Sequence, residues 1–198
     1  MFEIENLLNR RTVKNFLAEK IPAEVLASAI RVAWKSPTSM NSRPVILLDI
    51  SNRKNDDWIN FQPAVKTAPH LFLFAVSPEA GEMNARKFLA ERFGTATGDP
   101  KVSARVAEIV KNRDEWVRQQ VYLVAGYFAA TLEASGAAGC FIAGIDKKIA
   151  TEKLQLPENY AVELLFACGF ANPENDGSTE TDSVRKFDDF YFPESAVS

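Results

Sequence analysis

Two basic segments, far apart in the chain, carry the side chains best suited to bind an anion. The first, RRTVK, covers residues 10–14, and the second, VRK, covers residues 184–186 and ends in Lys186. If the first segment is extended, Arg10, Thr12 and Lys14 project to one side, because successive side chains alternate. Two cations and a hydroxyl on one face suit a phosphate, which Arg can bind bidentately. The alternative is a solvated basic patch just past a helix C-terminus, where cations oppose the helix dipole.

A third group of polar side chains lies in the stretch SPTSMNSRPV, residues 36–45. Its residues 37–43, called the polar loop below, separate a predicted helix at 23–35 from a predicted strand at 45–50. Clusters of Ser, Thr, Asn and Pro are ordinary connectors whose side chains bond their own backbone. The functional alternative is that the hydroxyls, the Asn41 amide and the Arg43 guanidinium face a ligand. Taken alone, the loop favours the connector.

Other chemistries find little support in the residue types. His70, the only histidine, begins the apolar run HLFLFAV, which favours a structural role. No Ser elbow or Cys-His signature surrounds it, so hydrolase chemistry is disfavoured. Cys140 and Cys168 lie in apolar runs and are interpreted as reduced core thiols. Neither G-x-G-x-x-G nor a P-loop is present, so a Rossmann domain is unsupported.

Composition indicates one globular domain of 198 residues, 46% hydrophobic and 25% charged. The formal net charge of -3 gives no broad field for nucleic acid or an anionic membrane. No apolar run approaches the roughly 20 residues that span a bilayer, and the N-terminus does not resemble a secretory signal. We therefore expect a cytoplasmic protein without nucleic-acid, membrane or metal partners.

Hydrophobic periodicity predicts an α+β fold. The predicted strands are 45–50, 71–77, 140–143 and 161–170, and the predicted helices are 3–9, 23–35, 83–93, 102–112, 114–134 and 147–154. The longest helix has one apolar stripe made of Val117, Val121, Val124, Phe128 and Leu132. A second set, Tyr122, Ala125 and Ala129, predicts a helix buried centrally or in an oligomer interface.

The C-terminal part changes character twice. The polar linker at 171–183 is rich in turn formers and predicts an exposed or extended loop. The tail that follows contains Phe187, Phe190, Tyr191 and Phe192, which are too apolar to stay in water. We expect residues 1–198 to form a single domain whose tail docks either on its own body or on a partner subunit, and we predict the partner subunit for an arm at about 184–198.

Eight short segments, taken in their order along the chain, resemble those of the FMN-dependent nitroreductase family. The resemblance is greatest to its oxygen-insensitive NAD(P)H nitroreductase and dihydropteridine reductase branch. The similarity covers nearly the whole chain. Each segment is weak alone, but eight in the correct order are specific: RRTVKNF, SPTSMNSRP, APHLFLFAV, RKFLA, EWVRQQVYLVAGYF, FIAGID, LPENYAVELLFACGF and SVRKF. The resemblance implies a mixed or antiparallel sheet flanked by helices, with the long helix at the interface of a homodimer.

The resemblance also implies one FMN per subunit, in a site built from two subunits. It implies a phosphate grip of Arg10, Thr12 and Arg185, with Arg11 contributing backbone and Lys186 adjoining it. Lys14 would lie near flavin N1 and O2. The polar-loop contacts implied for the ribityl chain and ring are Pro37, Thr38, Ser39 and Asn41.

Further positions follow from the same resemblance. The backbone amides of Ala143 and Gly144 would face flavin N5 and O4, where small residues let the backbone approach. Candidates for the pyrimidine ring are Asn60, Gln62 and Lys66. The implied substrate contacts are Ser39, Met40, Phe88, Leu89 and Phe93.

Four positions depart from the family pattern. Arg43 stands where Gln is usual, Val45 where an aromatic is common, Ala143 where Glu is frequent, and Ser183 where a basic residue is expected. The Arg43 guanidinium either joins Lys14 at the pyrimidine end or points to solvent, for example pairing with Asp49.

The implied activity is hydride transfer from NAD(P)H through FMN to nitroaromatics, quinones or similar acceptors, by a ping-pong mechanism. No side-chain acid or base is needed, so no catalytic side chain is assigned. Two alternatives stay open: an FMN carrier or redox-sensing protein without useful turnover, and a flavin-free scaffold whose basic segments are solvated surface.

Overall fold

The structure is a computed structural model that describes residues 3–59, 61–93, 104, 107–108 and 111–177. Helices and strands follow one another without the regular strand–helix–strand repeat of an α/β fold, which is typical of the α+β class. The elements are α1 Ile4–Leu8, α2 Ala23–Lys35, β1 Val45–Asp49, α3 Pro63–Thr67, β2 His70–Val76, α4 Pro78–Phe93, α5 Arg113–Ala134, β3 Ala138–Ile142, α6 Lys147–Leu154 and β4 Ala161–Gly169.

The four strands form one antiparallel sheet in the order β1-β2-β4-β3. The central strands β2 and β4 are almost continuously apolar, because both faces of the sheet are covered. Leu71, Leu73 and Ala75 belong to one core, whereas Phe72 and Phe74 belong to the other, against α2 and α5. The predicted α+β class is confirmed, and of the two expected sheet types the antiparallel one is found.

The stripe predicted for α5 faces the second core. Val117, Val121, Phe128 and Leu132 are fully buried there, and Val124 packs against them. The second predicted set divides: Ala125 and Ala129 are buried in the protein's own core, whereas Tyr122 is 56% exposed. The outward apolar face consists instead of Tyr122, Leu123 and Tyr127.

Most predicted boundaries fall within two residues of the structure, with two differences. Helix α4 begins at Pro78, five positions before the predicted start at 83, because Pro suits a first helical turn and the Ser77 hydroxyl accepts from the Ala80 amide at 3.1 Å. Helix α3 was not predicted, since five residues are too few to show a helical period. The predicted helix 102–112 falls mostly outside the described residues, and the tail after 177 falls outside them entirely.

His70 has the structural role that the sequence favoured. Its Nε2 accepts a hydrogen bond from the backbone amide of Ile21 at 3.1 Å, so the ring is neutral in this arrangement. Burial lowers the pKa of His70. The described helices include none that is long and apolar enough to cross a membrane.

Candidate functional site

The basic segment at 10–14 is extended and lies beside strand β3. Thr12 forms a parallel bridge with Gly139, and the Val13 amide donates to the Gly139 carbonyl at 3.3 Å. Val13 is buried in the core, so the neighbouring side chains Arg10 and Thr12 turn the other way. Both line a cavity of about 520 Å³, whose wall also includes Phe141, a ring that is 44% exposed.

A buried acid in the wall of this cavity forms an ion pair with Arg10. The Glu133 carboxylate, in the last turn of α5, lies 3.6 Å from the Arg10 guanidinium, and Glu133 is only 6% exposed. Burial raises the pKa of Glu133, and the charge of Arg10 partly opposes that rise. Glu133 was not among the predicted site residues, although an acid next to Leu132 in an apolar stripe was a usable signal.

Arg11 is held differently from Arg10. Its guanidinium is 2.6 Å from Asp176 Oδ2, and the Lys14 and Asn15 amides both donate to the Asp176 carbonyl. The described part of the polar linker is largely exposed, and its Asp176 holds the basic segment in place. This contact occupies the Arg11 side chain. It leaves the Arg11 backbone for the contribution that the family resemblance implies.

Lys14 is exposed and lies close enough to Cys140 for its charge to oppose the burial that raises the pKa of that thiol. Lys14 therefore lies near the middle of β3, two residues beyond Thr12 along the basic segment. Beyond β3, Ala143 and Gly144 are exposed, and the side-chain amide of Gln62 donates to the Gly144 carbonyl at 2.8 Å. Of the three pyrimidine candidates, Gln62 is thus beside the strand end; Lys66 is exposed on α3, and Asn60 lies outside the described residues.

These residues form a linear arrangement, called the β3-edge cluster below. Arg10 and Thr12 lie at its beginning, Lys14 follows, and the exposed backbone at 143–144 ends it. From position 139 to position 143 an extended strand rises about 13 Å. The cluster therefore offers cations and a hydroxyl at one end and exposed backbone at the other.

The polar loop is a compact turn with unusual backbone. Met40, Asn41 and Arg43 have φ values of 51, 50 and 40 degrees, which is the left-handed region. Each such residue costs about 1 to 3 kcal/mol unless its surroundings fix it. Fixing contacts are present: the Ser39 amide donates to Gln120 Oε1 at 2.8 Å, and Asn84 of α4 donates to the Ser42 carbonyl at 2.9 Å.

Within one chain, Arg43 is held by its own loop and by the end of α2. Its Nε donates to Asn41 Oδ1 at 2.7 Å, its Nη1 donates to the Trp34 carbonyl at 2.6 Å, and its guanidinium lies over the Trp34 ring. Asp49, the suggested acidic partner, instead accepts from the Ser51 amide at 3.0 Å. Arg43 therefore braces its own loop against the end of α2.

The β3-edge cluster and the polar loop are far apart within one chain. Arg10 approaches α5 at Glu133, whereas the loop approaches α5 at Gln120. Positions 120 and 133 of a helix are about 20 Å apart along its axis. The residues described around the cavity of Arg10 and Thr12 include none from the loop. The loop and the cavity of Arg10 and Thr12 therefore contact different parts of α5.

The predicted substrate residues have mixed positions. Ser39 and Met40 are half-buried in the loop, Phe88 is half-buried on α4, and Leu89 is only 8% exposed, as in a core position. The side chain of Phe93 lies outside the described residues, as do Arg185, Lys186 and Ser183.

Comparison with known proteins agrees with this architecture. The model of the nitroreductase family matches residues 7–170. The chain belongs to the nitroreductase family. The match contains the basic segment, the polar loop and the whole sheet, so the family assignment covers both groups of candidate residues.

Three similar proteins illustrate this nitroreductase membership. The chain is 23% identical over 180 residues to FMN reductase (NADPH) of Bacillus subtilis, covering 87% of this chain and 66% of that protein. It is 25% identical over 186 residues to NADH dehydrogenase of Thermus thermophilus, covering 84% and 85%. A crystal structure of a nitroreductase family protein from Streptococcus pneumoniae has a TM-score of 0.72 at 20% identity, covering 96% and 98%. The last comparison shows the shared fold.

Proposed function

We propose that this protein is an FMN-dependent NAD(P)H oxidoreductase that reduces nitroaromatics, quinones or similar acceptors by a ping-pong mechanism. The observation that carries the proposal is the β3-edge cluster, in which Arg10 and Thr12 line a cavity beside β3 and the exposed residues Ala143 and Gly144 follow the end of that strand. Membership of the nitroreductase family and the names of the two relatives, FMN reductase (NADPH) and NADH dehydrogenase, support the same chemistry.

The residues present fit FMN. A guanidinium and a hydroxyl facing one cavity form a suitable donor set for the phosphate, with Arg10 and Thr12 as its ligands. Gly139 belongs to the same wall, and a Cβ there would lie 2.0 Å from the Phe166 ring, so this part of the cavity depends on glycine. The exposed backbone of Ala143 and Gly144 would bind the ring edge, and Lys14 would stabilise negative charge on it.

The flavin, when bound, supplies the hydride chemistry. The protein's own task is to orient it, to limit water and to offer positive charge to the reduced ring. Because both substrates would use the same face in turn, ping-pong kinetics follow from this arrangement. No side chain of the cluster needs to exchange a proton.

A homodimer is part of the proposal. Helices α1, α2 and α5 line an open apolar groove of about 730 Å³ that includes Leu7, Val32, Tyr122, Leu123 and Tyr127. Exposed apolar surface of this extent is typical of a protein interface, and a two-fold axis would bury the groove of both chains. The dimer would also bring the polar loop of one chain to the β3-edge cluster of its partner. We further propose a cytoplasmic location, consistent with the two buried free thiols.

The test is the visible spectrum of the purified protein, followed by steady-state oxidation of NADH and NADPH with a quinone and with a nitroarene. Bound FMN with parallel double-reciprocal plots would support the proposal. Bound FMN without turnover would indicate the carrier or redox-sensing alternative. A colourless protein that ignores added FMN would contradict both.

A further inference from the structure

The polar loop keeps its backbone conformation through contacts with its neighbours. Three of its residues have positive φ although none is glycine, and such backbone persists only where other contacts determine it. The hydroxyl of Ser42 is fully buried and is one of the buried polar atoms that have no hydrogen-bond partner among the described residues. Besides the Arg43 brace, two backbone groups of the loop are bound by neighbouring helices: the Ser39 amide and the Ser42 carbonyl.

Gln120 is a buried contact to this backbone. It is 4% exposed and lies between Val117 and Val121 in the apolar part of α5, where an unpaired amide would be costly. Its Nε2 donates to the Trp116 carbonyl at 3.0 Å, which turns Oε1 toward the loop. That oxygen accepts from the Ser39 amide at 2.8 Å. Both ends of the amide are thus satisfied in one orientation only.

We propose that Gln120 is a positioning residue for the cofactor site: it fixes the polar loop so that Thr38, Ser39 and Asn41 face the FMN held by the partner subunit. This inference rests on the proposed function and assigns a role to a residue with no direct flavin contact. Two positions further along α5, Tyr122 and then Leu123 face outward into the groove assigned to the dimer. Helix α5 would therefore form part of the subunit interface and also hold the loop that reaches the partner's site across that interface.

The experiment compares three variants of the FMN-loaded protein with wild type. Gln120→Met has a similar length and flexibility but no strong acceptor, so the Ser39 amide loses its partner. Gln120→Glu keeps an oxygen acceptor for the Ser39 amide and, as the neutral acid that burial favours, an O–H donor for the Trp116 carbonyl. Val121→Ala, at the adjacent fully buried position, is the matched control for general loss of core packing. FMN release on dilution is followed by flavin fluorescence, and visible circular dichroism reports the asymmetry around the bound ring.

For Gln120→Met we expect the FMN dissociation constant to rise about 10-fold, equal to about 1.4 kcal/mol, together with a changed visible dichroism. Gln120→Glu should return both readouts to near wild type, and Val121→Ala should lower the melting temperature without changing them. Wild-type FMN release and dichroism in Gln120→Met would overturn the inference, as would an equal loss in the Met and Glu variants. If wild type itself binds no FMN, the proposed function fails instead.

Discussion

The β3-edge cluster and the polar loop are both assigned to one cofactor, yet they are built in different ways. The cluster lies along a strand, and the β3–β4 ladder and the bridge from Thr12 to Gly139 fix its backbone. The loop has no ladder, and buried or half-buried side chains such as Gln120 and Asn84 hold it. From this difference we expect that removing a polar side chain of the cluster removes a single ligand contact. Changing a residue that supports the loop should instead alter the geometry of several ligand contacts.

The largest expected effect tests the close backbone approach in the cluster. Gly139→Ala would place a Cβ 2.0 Å from the Phe166 ring, which cannot move freely inside the core. We expect a loss of about 3 kcal/mol of unfolding free energy, because overpacking forces backbone and side-chain shifts. Urea denaturation of the FMN-free protein measures it.

The matched control is Gly144→Ala, whose Cβ would meet only Gln62 Nε2, at an ordinary 3.7 Å. We expect its stability to stay within about 0.5 kcal/mol of wild type. Equal stability of the two variants would show that the Phe166 ring yields easily, and the cluster would then be less rigid than the strand ladder suggests.

The next effect concerns charge in the cluster. Arg10→Ala should weaken FMN binding by about 10- to 100-fold, because a charge-assisted hydrogen bond of about 1.5 to 3 kcal/mol is lost. Titration of the apoprotein with FMN measures it. Arg11→Ala is the control, since the Arg11 guanidinium is bound to Asp176 and Arg11 does not line the cavity of Arg10 and Thr12. A larger loss in Arg11→Ala would assign the phosphate to the other arginine.

A smaller effect tests whether Arg43 holds the loop in place or supplies positive charge to the flavin ring. Arg43→Gln removes the bond to the Trp34 carbonyl and the contact with its ring. We expect FMN release to become faster by about five-fold, equivalent to about 1 kcal/mol, while the two-electron potential stays unchanged. A potential lowered by roughly 20 to 45 mV, the shift for about 1 to 2 kcal/mol, would instead place Arg43 near the ring. Arg31→Gln, exposed on α2, is the control.

The smallest effect is a pH dependence at the cluster. Since burial raises the pKa of Glu133, the folded state holds that proton more tightly than the unfolded state. Glu133 therefore costs stability as the pH rises above the ordinary Glu value, until the raised pKa is passed. The unfolding free energy of wild type should fall relative to Glu133→Gln across that interval and then run parallel to it.

Urea denaturation from about pH 4 to about pH 8, a range that begins below the ordinary Glu pKa, records this difference. Glu152→Gln, exposed on α6, is the control for the loss of one surface carboxylate. A constant difference between wild type and Glu133→Gln over the whole range would mean that Arg10 fully offsets the burial of Glu133.

Much of the fold was predictable because its signals are local. The continuous apolar run of β2 and the stripe from Val117 to Leu132 each require burial wherever the chain folds, so their elements were found within a residue of their ends. The sequence could not predict that Tyr122 faces outward and Ala125 inward. Apolar residues on two sides of a helix do not indicate which side packs against the protein's own core.

The site shows the same division between sequence and structure. Residue types and their spacing were enough to identify side chains that can bind a phosphate and to place the polar loop between α2 and β1, whereas the extended form of the basic segment was only a condition there. Only the tertiary structure decided that Arg43 braces Trp34, that Glu133 faces Arg10 and that Gln120 holds Ser39. These pairs join residues of different elements, up to more than a hundred positions apart, and no local pattern encodes such a distance. Their partners are chosen when the helices pack on the sheet, where a buried polar group must find whichever acceptor or donor the packing brings near.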